Sequence, residues 1–185
     1  MASSRRAIII TGAPGSGKTA ILHELIASGF VGIPEAAREV LAEQRASSGR
    51  GVPETDPARF CQLMLDRTVA DLATVDGSGP PAFFDRGIPD QIGYAELFGL
   101  DTSAAEQAAR SNRYDDTAFV TPSWPEIYTT DDERKMSLEA ADAFGARLRQ
   151  IFDTLGYRLV ELPRDSARAR ADFILDTVRH LAGNG

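Results

Sequence analysis

Eight residues, Gly12-Ala13-Pro14-Gly15-Ser16-Gly17-Lys18-Thr19, constrain this chain more than any other stretch. They follow the apolar run Ala7-Ile8-Ile9-Ile10 and lead into Ala20-Ile21-Leu22-His23-Glu24-Leu25-Ile26, which reads as strand, glycine-rich turn and helix. The stretch fits G-x-x-x-x-G-K-[ST] without a mismatch. Glycines let the backbone fold back so that successive N–H groups point inward at phosphate oxygens, and the following helix adds the positive end of its dipole. Lys18 offers a mobile charge to the β- and γ-phosphates, and the Thr19 hydroxyl a ligand to Mg²⁺. Residues Gly12 through Thr19, with Ala20 just inside the helix, are therefore the expected site of a nucleoside triphosphate. An ordinary glycine-rich loop is the alternative.

The rest of the composition limits what such a site can serve. A length of 185 residues suits a single domain over residues 1–185 with a substantial core. The net charge of −7 argues against a nucleic-acid or anionic-membrane partner, because binding to phosphate backbones rests on surplus Lys and Arg. Phosphates must then be met locally. Cys61 is the only cysteine, which excludes an internal disulfide and a cysteine-based zinc site and suits a reducing cytosol. Its neighbours Phe60, Leu63 and Met64 predict a buried helical thiol. Met1 to Arg6 is too short for a signal sequence, and the apolar run after it has only a strand's length. A cytoplasmic location is expected.

Along the chain, strands and helices alternate. Phe30 to Ile33 predicts a second strand closed by Pro34, and Glu35 opens a helix toward Arg45. Ser47 to Gly51 is a loop. Asp56-Pro57 is a helix start, a capping side chain followed by proline at the first helical position, and Phe60, Met64, Val69 and Leu72 follow at helical spacing. Pro81 to Asp85 is a third strand without alternation, as expected where both faces are covered. Helices are predicted around Asp90 to Leu97 and Thr102 to Asn112, then a fourth strand over Thr117 to Val120. A long helix from Ser137 to Leu155, a fifth strand from Tyr157 to Leu162 and a last helix from Asp165 to Leu181 complete the chain. This alternation means a parallel sheet between two helical layers.

In such a sheet, ligands bind beyond the carboxyl ends of the strands. Asp85 ends the third strand, where a carboxylate reaches a Mg²⁺ shell; capping the turn at Gly87 is the alternative. Arg86 stands where many hydrolases place a water-polarising glutamate, and is better suited to hold a phosphate or an anionic substrate. Glu35 is either a first-turn residue favoured by the helix dipole or the carboxylate that accepts an acceptor's hydroxyl proton. Arg38, one turn on, either pairs with Glu35 or binds substrate. Arg134 and Lys135 lie in a polar segment, about 128–137, that is either a solvated loop or a lid adding positive charge at the transition state. Trp124, with Tyr128, forms an aromatic wall for a substrate or simply a packed loop. Arg168 and Arg170 lie either on the surface or against an adenine ring. His23 and His180 are read as structural.

With these residues placed, the chain resembles the P-loop kinases, and most closely a family of small AAA-domain predicted ATPases or kinases related to ribosylnicotinamide kinases. The resemblance rests on Gly12 to Thr19, Ile33-Pro-Glu-Ala-Ala-Arg38, Phe83-Phe-Asp-Arg-Gly-Ile-Pro-Asp90, Trp124-Pro-Glu-Ile-Tyr128, Asp132-Glu-Arg-Lys135 and Leu159-Val-Glu-Leu-Pro163. It implies a three-layer α/β fold with a five-stranded parallel sheet in the order 2-3-1-4-5. It also implies a base at Glu35, an acidic-Arg pair at Asp85-Arg86, and ATP with Mg²⁺ as cofactors. The expected activity is phosphoryl transfer to a small-molecule acceptor, nucleoside-like or antibiotic-like. In that reading Lys18, Glu35, Asp85, Arg86 and Arg134 are catalytic, Thr19 and Asp85 hold the metal, Arg170 joins the nucleotide site, and Glu35, Arg38, Arg86 and Trp124 meet the acceptor. A nucleotide-dependent switch acting on a protein partner is the competing reading. Against it stand the missing [NT]-K-x-D motif and Arg86 in place of a hydrolase glutamate. A loop kept only for binding is a third.

Overall fold

Residues 6–77, 79–128 and 136–183 are described by a computed structural model of the chain. Five strands, β1 (Ala7–Gly12), β2 (Val31–Ile33), β3 (Ala82–Asp85), β4 (Thr117–Thr121) and β5 (Arg158–Glu161), form one sheet in the order β2-β3-β1-β4-β5. Every pairing is parallel. Around them run α1 (Lys18–Ala27), α2 (Ala36–Ala46), α3 (Pro57–Ala73), α4 (Ile88–Leu97), α5 (Ser103–Ser111), α6 (Leu138–Thr154) and α7 (Ala167–Gly183). The expected order 2-3-1-4-5 is the order observed, and boundaries differ from the sequence reading by one or two residues at most ends.

The unbroken apolar character of β1 follows from its central place. All six of its residues are buried, and alternate side chains serve opposite layers. Ile9 joins Phe84, Ile92, Leu148 and Phe152 beneath α3, α4 and α6. Ile8 and Ile10 join Ile21, Leu25, Phe83, Phe119 and Ile174 beneath α1 and α7. Each such side chain contributes about 1.5–3 kcal/mol on leaving water, so the two cores clamp the sheet that carries the site.

Helix starts put the functional ends in place. Asp56 accepts a hydrogen bond from the Arg59 backbone N–H at 2.9 Å, the cap that Asp56-Pro57 predicts. Cys61 lies half-buried on α3, where burial pushes its thiol up to about 11, so it stays protonated and inert. Register places Ile10 beside Asp85 and Gly12 beside Thr121, bringing the ends of β1, β3 and β4 to one rim. Among the described residues no helix is long and apolar enough to cross a membrane.

Candidate active site

The glycine-rich loop turns sharply from β1 into α1. Gly12 has φ +129°, and a Cβ there would lie 2.2 Å from Thr121 Oγ1, so a side chain is excluded by both backbone and space. Gly17, at φ +86°, would drive a Cβ to 2.7 Å from Arg170 Nη2. The loop is pinned from below: Ser16 Oγ lies 2.6 Å from the Ala13 carbonyl oxygen and 2.5 Å from Thr121 Oγ1. Arg170 Nη1 donates to the Ser16 carbonyl at 2.8 Å. Inside the loop, the Lys18 ammonium donates to the carbonyls of Ala13 at 2.8 Å and Gly12 at 3.4 Å. Burial, then the neighbouring Arg86, holds that ammonium down at about 8.

Beside the loop stands an acidic and hydroxylic pair. Thr19 Oγ1 donates to Asp85 Oδ2 at 2.8 Å, while the buried Asp85 Oδ1 has no hydrogen-bond partner. Burial, then Glu35, raises the Asp85 pKa. An orphaned carboxylate oxygen next to a threonine hydroxyl at a phosphate loop suits a hard divalent cation, which takes oxygen ligands and leaves positions for phosphates. Among the described residues no group of three or more His, Cys, Asp and Glu side chains offers an all-protein metal cage.

Arg86 follows Asp85 in the left-handed region, φ +71°, and this turn sends its side chain inward. Its Nε donates to Glu35 Oε1 at 2.8 Å, and its Nη1 to the Gly12 carbonyl at 3.1 Å and to Asp90 Oδ1 at 3.0 Å. Tyr94 Oη also donates to Glu35 Oε1, at 2.8 Å. Asp90 is fully buried and accepts from Thr11 Oγ1 at 2.6 Å and from the Gly87 N–H at 2.9 Å. Glu35 occupies the position before α2, but its side chain makes no capping bond. Burial pushes its pKa up, and Arg86, Lys18 and the Tyr94 hydroxyl outweigh this to bring it to about 2. Arg38 Nε lies 3.5 Å from Glu35 Oε2.

Loop and network open on one cavity of ≈ 650 Å³, to which Lys18, Thr19, Ala20, Glu35, Arg38 and Arg86 all contribute. Sequence reasoning thus placed Lys18, Thr19, Glu35, Arg38 and Arg86 on one rim, and they meet there. Three expectations need correction or stand aside. Trp124, expected beside the acceptor, does not line this cavity; its ring lies 5.3 Å from the Arg170 guanidinium carbon. The strand order explains this, since β4 and β5 lie on the opposite side of β1 from β2 and β3. Arg170 is buried against the loop backbone instead of on the surface, whereas Arg168 is exposed and pairs with Asp172 at 3.2 Å. Arg134 and Lys135 lie outside the described residues. Three polar residues escaped the sequence reading: Asp90, Tyr94 and Thr121. Asp90 and Tyr94 follow Arg86 at i+4 and i+8 along the helix start, successive steps of the spacing at which helical side chains meet.

The sequence matches the AAA domain family over residues 7–170. The chain belongs to that family. No curated protein sequence matches it. In fold this family member is similar to NadR solved in complex with NR, with 19% identity and a TM-score of 0.69 over 95% of the chain and 51% of NadR. It therefore spans about half the length of the NadR chain. It is also similar to deoxyadenosine kinase from M. mycoides with dCMP and dCDP bound, with 14% identity and a TM-score of 0.61 over 95% of this chain and 99% of that one. Shikimate kinase from Acinetobacter baumannii in complex with shikimate has 14% identity and a TM-score of 0.54 over 94% and 93%. At these identities the likeness is one of fold, and the fold is that of the P-loop kinases.

Proposed function

We propose that this family member is an ATP- and Mg²⁺-dependent phosphotransferase that acts on a hydroxyl of a small-molecule acceptor. One observation carries the reading: the carboxylate of Glu35 and the phosphate loop share one cavity, so a donor site and a proton-accepting site face the same space. Loop N–H groups and Lys18 would hold the triphosphate, and Thr19 and Asp85 would hold a Mg²⁺ ion, whose charge would neutralise phosphate oxygens.

In the transfer step the acceptor oxygen forms a bond to the γ-phosphorus, the bond from that phosphorus to the β–γ bridging oxygen breaks, and the electron pair leaves with ADP. The hydroxyl proton goes to Glu35. A carboxylate at about 2 is a weak base, but the loose transition state of phosphoryl transfer releases this proton late, when the oxygen is already acidic. What Glu35 supplies is an ionised oxygen in a fixed place. Arg86 holds that carboxylate in place and contributes to the lining of the cavity. The segment about 128–137, with Arg134, is proposed as the lid, and the whole of residues 1–185 as one domain.

The test is direct. The protein is incubated with ATP and Mg²⁺ against a panel of nucleosides and small alcohols, and phosphorylated acceptor is sought by mass. An added product at +80 in one acceptor supports the reading. ATP turnover at one rate with and without every acceptor overturns it in favour of a nucleotide-dependent switch.

A further inference from the structure

The wall of the cavity distinguishes between classes of acceptor. Near the loop it carries charge, from Lys18, Glu35 and Arg86. Beyond these the lining mixes apolar groups, Leu41 of α2, Phe60 of α3, Leu97 at the end of α4 and Phe98 just beyond it, with the charged Arg38 and Glu54, while Phe144 of α6 lies beside Arg86. Phe60 and Phe98 meet edge to face with ring centroids 6.3 Å apart, and Tyr94 and Phe144 lie 5.3 Å apart. Arg45 also contributes to the lining, ten residues after Glu35 along α2. At about 1.5 Å per residue the cavity therefore runs roughly 15 Å along that helix.

Two features set the chemistry of what fits there. The edge of a nucleobase is read by side chains with fixed donors or acceptors: Asn and Gln for adenine, Arg for guanine, Glu for cytosine. Among the described residues no Asn or Gln lines this cavity, whose far polar groups are the charged Arg38, Arg45 and Glu54, and the Tyr94 hydroxyl is committed to Glu35. At the rim, Leu97 is 44% exposed, one of four large apolar side chains so exposed among the described residues. An apolar wall that continues to an open rim gains by covering with apolar surface.

We infer that the acceptor is an apolar alcohol, its hydroxyl at Glu35 and its aryl or alkyl body along Leu41, Phe60 and Phe98. The inference rests on the phosphotransfer reading and narrows it. The nucleoside-like acceptor becomes the less favoured of the two expected classes.

Transfer from ATP in the presence of Mg²⁺ is measured for 3-phenyl-1-propanol, 1-octanol, adenosine, uridine and glycerol, with products read by mass. The expected result is a kcat/KM for an apolar alcohol at least about tenfold above those for both nucleosides and glycerol. Leu97→Gln, at an exposed position that does not threaten the core, is expected to raise the KM for that alcohol severalfold without moving the KM for ATP. Leu41→Gln is the second variant, with the same expectation. Preference for a nucleoside or glycerol, or an unchanged KM in both variants, overturns the inference while phosphotransfer stands. No phosphorylated product from any of the five overturns the inference, and ATP turnover at one rate with and without each of them overturns phosphotransfer as well.

Discussion

Arg86 and Glu35, 51 positions apart in the chain, are joined by a hydrogen bond of 2.8 Å from Nε to Oε1. The bond ties the end of β3 to the start of α2, and its two partners are buried to 3% and 15% side-chain exposure. It leaves Glu35 Oε2 on the side of the carboxylate away from Arg86 and Tyr94, both of which bind Oε1.

If that second oxygen takes the acceptor proton, Glu35→Gln should lower kcat by about 10²–10⁴-fold and leave nucleotide affinity nearly intact. Steady-state kinetics beside nucleotide titration check this, and unchanged kcat would reduce Glu35 to a helix-start residue. The same residue gives a pH signature. Its pKa of about 2 lies below the ordinary 4.5, so the unfolded chain takes up the proton first as pH falls. The stability supplied by ionised Glu35 is complete above about 4.5 and is lost as pH drops through about 2. Denaturant titrations across that window should show wild type losing more stability than Glu35→Gln.

Arg86 neutralises two carboxylates at once, Glu35 and Asp90. Arg86→Met fills similar volume and leaves both without their shared cation, which should cost about 3–5 kcal/mol of folding stability. Arg86→Lys restores charge without the fork and should recover only part of it. Chemical denaturation of the three proteins decides the order.

Asp85→Asn should separate stability from binding. The wild-type side chain keeps one oxygen without a partner, and burial raises its pKa. A neutral amide at this position should melt at or above the wild-type temperature, while Mg²⁺-dependent nucleotide affinity falls by tenfold or more, about 1.4 kcal/mol. Thermal melts without ligand and titrations with and without Mg²⁺ supply the two readings. A lower melting temperature with unchanged affinity would make Asp85 a structural residue.

Arg170 holds the loop through the Ser16 carbonyl and lies behind Gly17. Arg170→Leu should loosen the cradle and raise the KM for ATP by about tenfold, leaving the KM for the acceptor unchanged. Equal effects on both would place Arg170 in general packing.

Local signals account for what could be seen in advance. The phosphate loop, the cap at Asp56-Pro57, and the strand ends at Glu35 and Asp85 are written in runs of a few residues, and all recur in the fold. What stayed hidden depends on contacts over long separations. Asp90 receives Thr11 across 79 positions, and Ser16 meets Thr121 across 105. Trp124 was left between a substrate wall and a packed loop because its local sequence speaks of aromatic surface and proline, whereas its neighbour is chosen by which side of β1 its strand occupies. Arg86 was read as a ligand for a phosphate or an anionic substrate from its place after Asp85, and its bonds within the protein were not foreseen. Its positive φ, which turns it down onto Glu35 and Asp90, has no signature in a non-glycine residue.

Lys18 rests on carbonyls of its own loop, with its ammonium held at about 8. A triphosphate arriving there brings negative charge that lifts the pKa again. Binding near pH 8 is then a proton-uptake reaction: part of the population acquires the charge it needs from the buffer at the moment of complexation. Affinity should decline as alkalinity increases past that point, and the heat of association should depend on the ionisation enthalpy of the buffer.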